Sequence, residues 1–192
     1  MVNDNGQCEG KAQQNIPAPI LDLSWTDDGT KIFISTGDKE VRLWDLASNQ
    51  VAVVGTHDAP VKTCHWIKGF ALGNNYSCLM TGSWDKTLRF WDMRQLPTQS
   101  SLANITLPER VYCADVLYPM AAVGLANRHI KVYNLENGPQ EVKDIESQLK
   151  FQVSDLALTQ FGRLCSTPIF HAVRLLENFL RIKLWQLVRK LD

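Results

Sequence analysis

Side chains suited to metal binding or nucleophilic chemistry are scattered through this 192-residue sequence. The histidines are His57, His65, His129 and His171, and the cysteines are Cys8, Cys64, Cys78, Cys113 and Cys165. No two histidines stand four residues apart, as on a zinc-binding helix, and no Cys-x-x-Cys occurs. The motifs of serine hydrolases, P-loops and dinucleotide-binding folds are also missing. The pattern predicts no metal site, no cofactor and no catalytic centre.

Two local groups that resemble reactive sites have simpler interpretations. Cys64 and His65 are adjacent on a predicted strand, so their side chains point to opposite faces and cannot form a catalytic pair. Asp27-Asp28-Gly29 is a turn signal, and a calcium loop needs further oxygen ligands at fixed spacing. We therefore expect a protein that is not an enzyme.

Charge and composition are those of an ordinary folded protein. Lys plus Arg and Asp plus Glu each number 20, so no net charge attracts the chain to nucleic acid or to an acidic membrane. The odd number and wide spacing of the cysteines fit reduced, buried thiols in an intracellular protein. No uncharged apolar run of about 18 residues occurs, so no membrane-spanning helix is expected.

An internal repeat organises most of the chain. Residues 38–45, DKEVRLWD, return at 85–92 as DKTLRFWD and more weakly at 127–134 as NRHIKVYN. Each copy reads as short apolar strands separated by turn signals such as TDDGTK and GDKE. A period of about 40–45 residues with a Trp-Asp pair is typical of WD40 β-propeller blades. The sequence predicts an all-β fold, a partial WD40 propeller with about three visible blades.

The second copy contains the residues of a buried hydrogen-bond network. In a WD40 blade a histidine, a hydroxyl, a turn aspartate and a strand tryptophan bond in series, and such networks fix one packing. We assign these roles to His57, Ser83, Asp85 and Trp91, and interpret them as structural rather than catalytic. The first copy supplies Thr36, Asp38 and Trp44 but lacks the histidine. The third has Leu125, Asn127 and Tyr133 at the matching places, so its network is lost.

The predicted rim of loops beside this network is the candidate binding surface. Trp84 precedes the turn aspartate and is either an interface anchor or packed against the next loop. Lys39, Lys86 and Arg128 occupy matching turn positions and would make the rim basic, which suits acidic peptides or RNA phosphates. The alternative is a set of solvated turns.

The two ends of the chain differ from the repeats. Residues 1–15 are a polar segment or the end of a preceding blade, residues 16–155 are the blades, and residues 156–192 are a divergent tail. QVSDLAL within 151–167 resembles the first strand of a fourth blade. From about residue 168 the apolar residues recur at helical spacing among basic ones, which predicts an amphipathic helix. It would pack on the open end of the propeller or bind a membrane surface or a partner.

Three stretches resemble a specific family. HDAPVKTCHWIK (57–68), NYSCLMTGSWDKTLRFWDMR (75–94) and LPERVYCADVLYPMAAV (107–123) are similar to the WD40 mRNA export factors. The resemblance covers about residues 11–150, so the chain resembles a truncated or partial form. A sister family, the mitotic checkpoint propellers, shares the architecture.

The resemblance implies a non-enzymatic scaffold that binds a nucleoporin peptide motif in mRNA transport. Its implied partners also include mRNA–protein complexes or RNA and mitotic spindle proteins. The implied locations are the nucleus, the nuclear pore or envelope and the cytoplasm. The alternatives are a spindle checkpoint adaptor of the same fold and a truncated product without independent function.

Overall fold

The computed structural model describes residues 6, 10, 12–68, 77–93, 101–148, 150–158 and 164–167. Three four-stranded antiparallel sheets and one hairpin follow one another along the chain. Blade 1 contains β1 (Ile20–Trp25), β2 (Lys31–Thr36), β3 (Glu40–Asp45) and β4 (Gln50–Thr56). Blade 2 contains β5 (Val61–Ile67), β6 (Cys78–Ser83), β7 (Thr87–Asp92) and β8 (Ala103–Thr106). Blade 3 contains β9 (Val111–Leu117), β10 (Met120–Leu125), β11 (His129–Asn134) and β12 (Gln140–Glu146), and the hairpin contains β13 (Asp155–Leu158) and β14 (Leu164–Thr167).

Each blade is a meander because its apolar stretches are separated by short turns. The turn between the second and third strands places a basic residue at positive φ in every blade: Lys39 at 76°, Lys86 at 65° and Arg128 at 69°. The carbonyl of each of these residues accepts a backbone N–H from the end of the fourth strand or just beyond it, at 2.8–2.9 Å. The all-β prediction and its three blades are confirmed.

The blades stack side by side through their first strands, with β1 beside β5, β5 beside β9 and β9 beside β13. Each blade therefore has a near face, turned toward the preceding blade, and a far face, turned toward the next. The apolar core lies between these faces. Phe33 of blade 1 packs with Cys64 and Trp91 of blade 2, and Leu88 of blade 2 packs in one cluster with Tyr133 of blade 3.

Polar side chains bind adjacent blades together at the first strands. The Asp22 carboxylate accepts the backbone N–H of Cys64 at 2.9 Å, and the Ser24 hydroxyl accepts that of Trp66 at 2.9 Å. In the same way Asp115 accepts the backbone N–H of Leu158 at 2.5 Å. These bonds satisfy backbone donors that would otherwise be buried without partners.

Two glycines allow the blades to approach closely. A Cβ on Gly82 would lie 2.8 Å from side-chain atoms of both Thr63 and Val111, and one on Gly124 would lie 2.6 Å from the Cys113 sulfur. Thr63 lies on the first strand of blade 2, beside Gly82, and Cys113 lies on the first strand of blade 3, beside Gly124. Val111, the other neighbour of Gly82, belongs to blade 3. Only a residue without a side chain fits between two packed surfaces at these points.

The tail is described only in part. The predicted start of a fourth blade at 151–167 corresponds to β13 and β14, which pair over four residues each, and β13 packs on blade 3. The predicted helix from about residue 168 lies outside the described residues. Within the described ranges, no helix has the length and apolar character needed to cross a membrane.

Candidate functional site

A directional hydrogen-bond chain runs through blade 2. The Trp91 indole N–H on β7 donates to the Thr81 hydroxyl on β6 at 2.8 Å. Because that oxygen already accepts, its own proton is left for His57 Nε2, at 2.8 Å. The other ring nitrogen, Nδ1, is then the protonated one and donates to Asp85 at 2.9 Å. The geometry defines a neutral histidine with its proton on Nδ1.

The Asp85 carboxylate accepts hydrogen bonds from several donors. Its carboxylate accepts the Thr87 backbone N–H at 2.9 Å, the Thr87 hydroxyl at 2.6 Å and the Asp58 backbone N–H at 3.1 Å. Arg89 approaches the same carboxylate at 3.5 Å and donates to the Thr56 carbonyl of blade 1 at 2.8 Å. Asp85 therefore joins the turn of blade 2 to the loop that leaves blade 1.

The two titratable groups of this network both have a lowered pKa. Burial is the main cause for His57, and it outweighs the opposing effect of the Asp85 charge. For Asp85, burial favours the neutral acid, but the bonds from Thr87, Asp58 and His57 together hold the pKa below its ordinary value. The network therefore favours a neutral His57 imidazole beside an ionised Asp85 carboxylate.

The structure corrects the assignment of the hydroxyl, which is Thr81 and not Ser83. Trp91 pairs across the sheet with Leu79, and Thr81, two residues further along β6, is on the same face. Ser83 is four residues from Leu79, too far to reach the indole. Its hydroxyl instead donates to the Ala59 and Pro60 carbonyls at 3.0 and 2.9 Å and accepts the Asp85 backbone N–H at 3.1 Å. Ser83 holds the rim turn.

The same spacing explains why blade 1 has no such chain. The place of Thr81, four residues before the turn aspartate, is occupied by Ile34, so the Trp44 indole has no hydroxyl beneath it. That indole donates to Asn49 at 3.1 Å on the surface. Thr36 bonds to Asp38 and accepts from Arg42 at 2.8 Å, which is a separate local cluster.

Blade 3 lacks the hydroxyl that Thr81 provides in blade 2, and a buried polar group there is left without a partner in the described part of the chain. Val123 stands where blade 2 has Thr81, and the buried Tyr133 hydroxyl has no hydrogen-bond partner among the described residues. The predicted loss of the network agrees with this. Once the register of β6 with β7 places Thr81 four residues before the turn aspartate, the same count locates Ile34 in blade 1 and Val123 in blade 3.

The rim is less basic than the sequence suggested. Lys86 forms an ion pair with Glu109 at 2.7 Å, and Arg128 forms one with Glu146 at 3.4 Å. Lys39 is exposed beside Asp38, which pairs with Arg42. Carboxylates of the following loop or strand thus neutralise two of the three turn cations, and this weakens the case for phosphate binding.

Trp84 is the exception on this rim. Its side chain is 39% exposed, whereas the equivalent turn positions are Gly37 in blade 1 and Ala126 in blade 3. Its backbone N–H donates to the Pro60 carbonyl at 3.0 Å, and its neighbours Ser83 and Asp85 are held by the bonds described above. An exposed indole on a fixed turn fits an interface anchor.

Three cysteines of the described part of the chain are shielded from solvent. Cys64, Cys78 and Cys113 are free, buried thiols, and burial raises the pKa of each. The described residues contain no group of three or more His, Cys, Asp or Glu side chains arranged to hold a metal. Thiols kept protonated in this way are poor nucleophiles.

Acid is expected to destabilise this fold before any carboxylate titrates. His57 is buried and His65 is partly buried with its Nε2 enclosed, and burial lowers the pKa of each from the ordinary 6.5. The unfolded chain therefore binds more protons, and the free energy of unfolding should fall below pH 6.5 by up to about 1.4 kcal/mol per pH unit for each histidine. Guanidinium unfolding at pH 7.5 and pH 5.5 measures this difference.

The His57→Gln variant provides the comparison for this pH effect. It should be less stable at pH 7.5 but should lose less on acidification than the parent chain. Equal stability of the parent at the two pH values would contradict the role given to His57 and His65.

Three stacked four-stranded meanders and a His–Thr–Asp–Trp network together define WD40 blades of a β-propeller. The family model of the WD domain, G-beta repeat, matches residues 9–45 and 49–92. The chain contains WD40 repeats, and over most of its length it is similar to proteins named mRNA export factor.

Three relatives illustrate this homology. Over 158 residues, 82% of this chain, the sequence is 73% identical to mRNA export factor rae-1 of Caenorhabditis elegans. It is 54% identical over 151 residues to Protein Rae1 of Drosophila melanogaster and 53% identical over 151 residues to the mRNA export factor of Xenopus tropicalis. The matched region spans only 39–42% of the length of these relatives.

The fold is also found in a solved structure of unrelated sequence. The crystal structure of the computationally designed Ika4 protein matches 85% of this chain and 94% of its own, with a TM-score of 0.65 at 15% identity. At this identity the match supports the fold alone.

Proposed function

We propose that the chain is a non-enzymatic scaffold that presents its rim turns to a nucleoporin peptide motif in the transport of mRNA. Homology to proteins named mRNA export factors supports the process, and the WD40 blades support a scaffold. The observation that carries the proposal is Trp84, an exposed indole on a turn fixed from both sides. Such a scaffold would act at the nuclear pore or envelope, in the nucleus and in the cytoplasm.

The rigidity of the rim favours binding of a peptide. The turn that contains Trp84 is held by the buried network below it and by the Lys86–Glu109 pair beside it. A preorganised surface loses little conformational freedom when a partner docks, so more of the contact energy is available for affinity. Lys39 and Arg128 would border the docked peptide.

Two alternatives use the same surface. A spindle checkpoint adaptor of the same fold would bind a checkpoint protein with these turns, and an RNA partner would contact their cations. The ion pairs at Lys86 and Arg128 favour a peptide over RNA, because phosphates would have to displace bound carboxylates.

Replacing Trp84 by alanine should weaken binding of a nucleoporin peptide by about 2 kcal/mol, roughly thirtyfold, and leave stability unchanged. The indole is exposed, so its removal opens no cavity in the core. Fluorescence anisotropy with a labelled peptide measures the affinity, and thermal melting measures the stability.

Tyr118→Ala is the matched control for this experiment. Tyr118 is 40% exposed in the turn between β9 and β10, at the opposite end of the blades from Trp84. It should bind the peptide like the parent chain. Unchanged binding by Trp84→Ala, or equal losses in the two variants, would refute the assignment of the site.

A further inference from the structure

The outer strand of blade 1 differs in composition from the outer strands of the other two blades. β4 reads QVAVVGT and contains no charged residue, and none occurs anywhere in residues 47–56. By contrast, β12 reads QEVKDIE, with four charged side chains in seven residues, and β8 is only four residues long. Charge and short length are two features that keep an edge strand from pairing with another chain. β4 has neither of them.

One edge of β4 has no partner among the described strands. In the sheet order β1-β2-β3-β4 the strand is paired with β3 alone. Because the blades stack through their first strands, β4 lies at the outer circumference, where a preceding or following blade would contact its faces and not this edge. In an antiparallel ladder, every second residue of an edge strand turns its N–H and C=O away from the neighbouring strand. This edge can therefore pair with a further strand.

The first half of β4 is the accessible half. Gln50 and Ala52 are exposed, Val51 is half-buried and Val53 is 41% exposed. The register with β3 is regular from Gln50 to Val53 and shifts immediately after it. Four consecutive residues are therefore regular in register, accessible and uncharged.

The second half of β4 holds this edge in place. Val54 lies in the core between blades 1 and 2. Gly55 packs so closely on blade 2 that an added Cβ would lie 3.0 Å from the Trp91 indole. A strand fixed in this way loses little conformational freedom when another strand pairs with it.

We propose that two copies of this chain associate by pairing their β4 strands antiparallel about a two-fold axis through Ala52. The pairing joins two four-stranded blade 1 sheets into one continuous sheet. With the axis at Ala52, Val51 of each copy lies opposite Val53 of the other on one face of the sheet, and β-branched cross-strand pairs stabilise a sheet. The contact is isologous, because both copies contribute the same residues.

A second copy is the partner whose chemistry matches this edge. Two-fold pairing brings like side chains together, so charged residues on the paired strands would oppose it. β12 is unsuitable for that reason, whereas β4 places no charge at the contact. The paired stretch is short, and small interfaces give weak association. We therefore expect a dimer that forms only as the concentration rises.

Sedimentation velocity of the full 192-residue chain over a series of concentrations tests this pairing. The parent chain should shift from monomer to dimer. Ala52→Glu and Ala52→Lys should each weaken association by roughly tenfold or more, because the axis brings two like charges together. Ala52 is exposed, so neither variant disturbs the core. Val142→Glu is the control and should associate like the parent, because Val142 is a 50% exposed residue of another outer strand, β12.

A mixture of the two Ala52 variants distinguishes two-fold pairing from other contacts. Across the axis the glutamate of one variant meets the lysine of the other, so an equimolar mixture should form a heterodimer although each variant alone is monomeric. Circular dichroism of each variant shows whether the fold is retained.

Hydrogen exchange of the unaltered chain gives a measurement that needs no substitution. The backbone amides of residues 50–53 should exchange more slowly at high than at low concentration, because some of them become hydrogen-bonded to the second copy. The amides of β12 should exchange at the same rate at both concentrations.

Three results would each overturn the proposal. A parent chain that is monomeric at every concentration would show that the β4 edge does not bind a second copy. A mixture of the Ala52 variants that associates no better than either variant alone would exclude a two-fold axis at this residue. Concentration-dependent protection confined to strands other than β4 would place the contact elsewhere.

Discussion

Asp85→Ala is expected to lower the free energy of unfolding by about 1–3 kcal/mol, the usual cost of leaving a buried polar group without its hydrogen-bond partner. The carboxylate is almost fully buried and bonds His57, the hydroxyl and backbone N–H of Thr87, and the backbone N–H of Asp58. Its removal takes away the acceptor of the buried His57 ring and of the part-buried Thr87 donors. Denaturant unfolding at pH 7.5 measures the loss.

Asp58→Ala is the control for this substitution. Asp58 lies in the same loop, its side chain is exposed, and it pairs with Arg89 only at 3.3 Å. The backbone N–H that reaches Asp85 is still present in this variant. We expect a change within about 0.5 kcal/mol, as for most surface substitutions. If the two alanine variants were equally stable, Asp85 would not be the centre of the network.

Gly82→Ala is expected to cost about 1–3 kcal/mol, with Gly82→Val above the top of that range, because both overfill a packed interface. The new Cβ would lie 2.8 Å from Thr63 Oγ1 and 3.3 Å from the Cβ of Val111. Thr63 lies on the neighbouring strand of the same blade, whereas Val111 can move away only if blade 3 shifts away from blade 2. The lost contacts should appear as a lower melting temperature in calorimetry.

Gly37→Ala is the glycine control. A Cβ at this position meets nothing closer than Pro19 at 3.7 Å, an ordinary van der Waals distance. This variant should melt close to the parent temperature. A graded loss from alanine to valine at position 82, absent at position 37, would identify the blade contact as the cause. Parent-like melting of Gly82→Val would refute a rigid interface there.

The sequence alone determined the local structure of the blades. A strand alternates its side chains between two faces, and a tight turn has few compatible residue types, so apolar stretches and turn signals were enough to predict the strands of three blades. The Trp-Asp repeat identified the class of fold for the same reason. His57, Asp85 and Trp91 could be selected because each stands at a fixed distance from that repeat.

Only the tertiary structure decided which hydroxyl completes the network. Thr81 and Ser83 are both small, both on β6 and both near the turn, and the sequence gives no reason to prefer one. The cross-strand register of β6 with β7 decides between them, because Trp91 pairs with Leu79 and reaches only the residue two positions away. Register describes which residues of two strands pair with each other, so it cannot be inferred from the sequence of one strand alone.

The charge of the rim was also decided by tertiary contacts. Lys86 and Arg128 can be read from the turns, but their partners Glu109 and Glu146 lie 23 and 18 residues away in the chain. Electrostatic interactions depend on distance in space, so a count of cations in the turns overestimates the basic character of the surface. In the same way, Leu23 and Trp25 read as ordinary strand residues, and only the stacking order of the sheets shows that no described blade covers them.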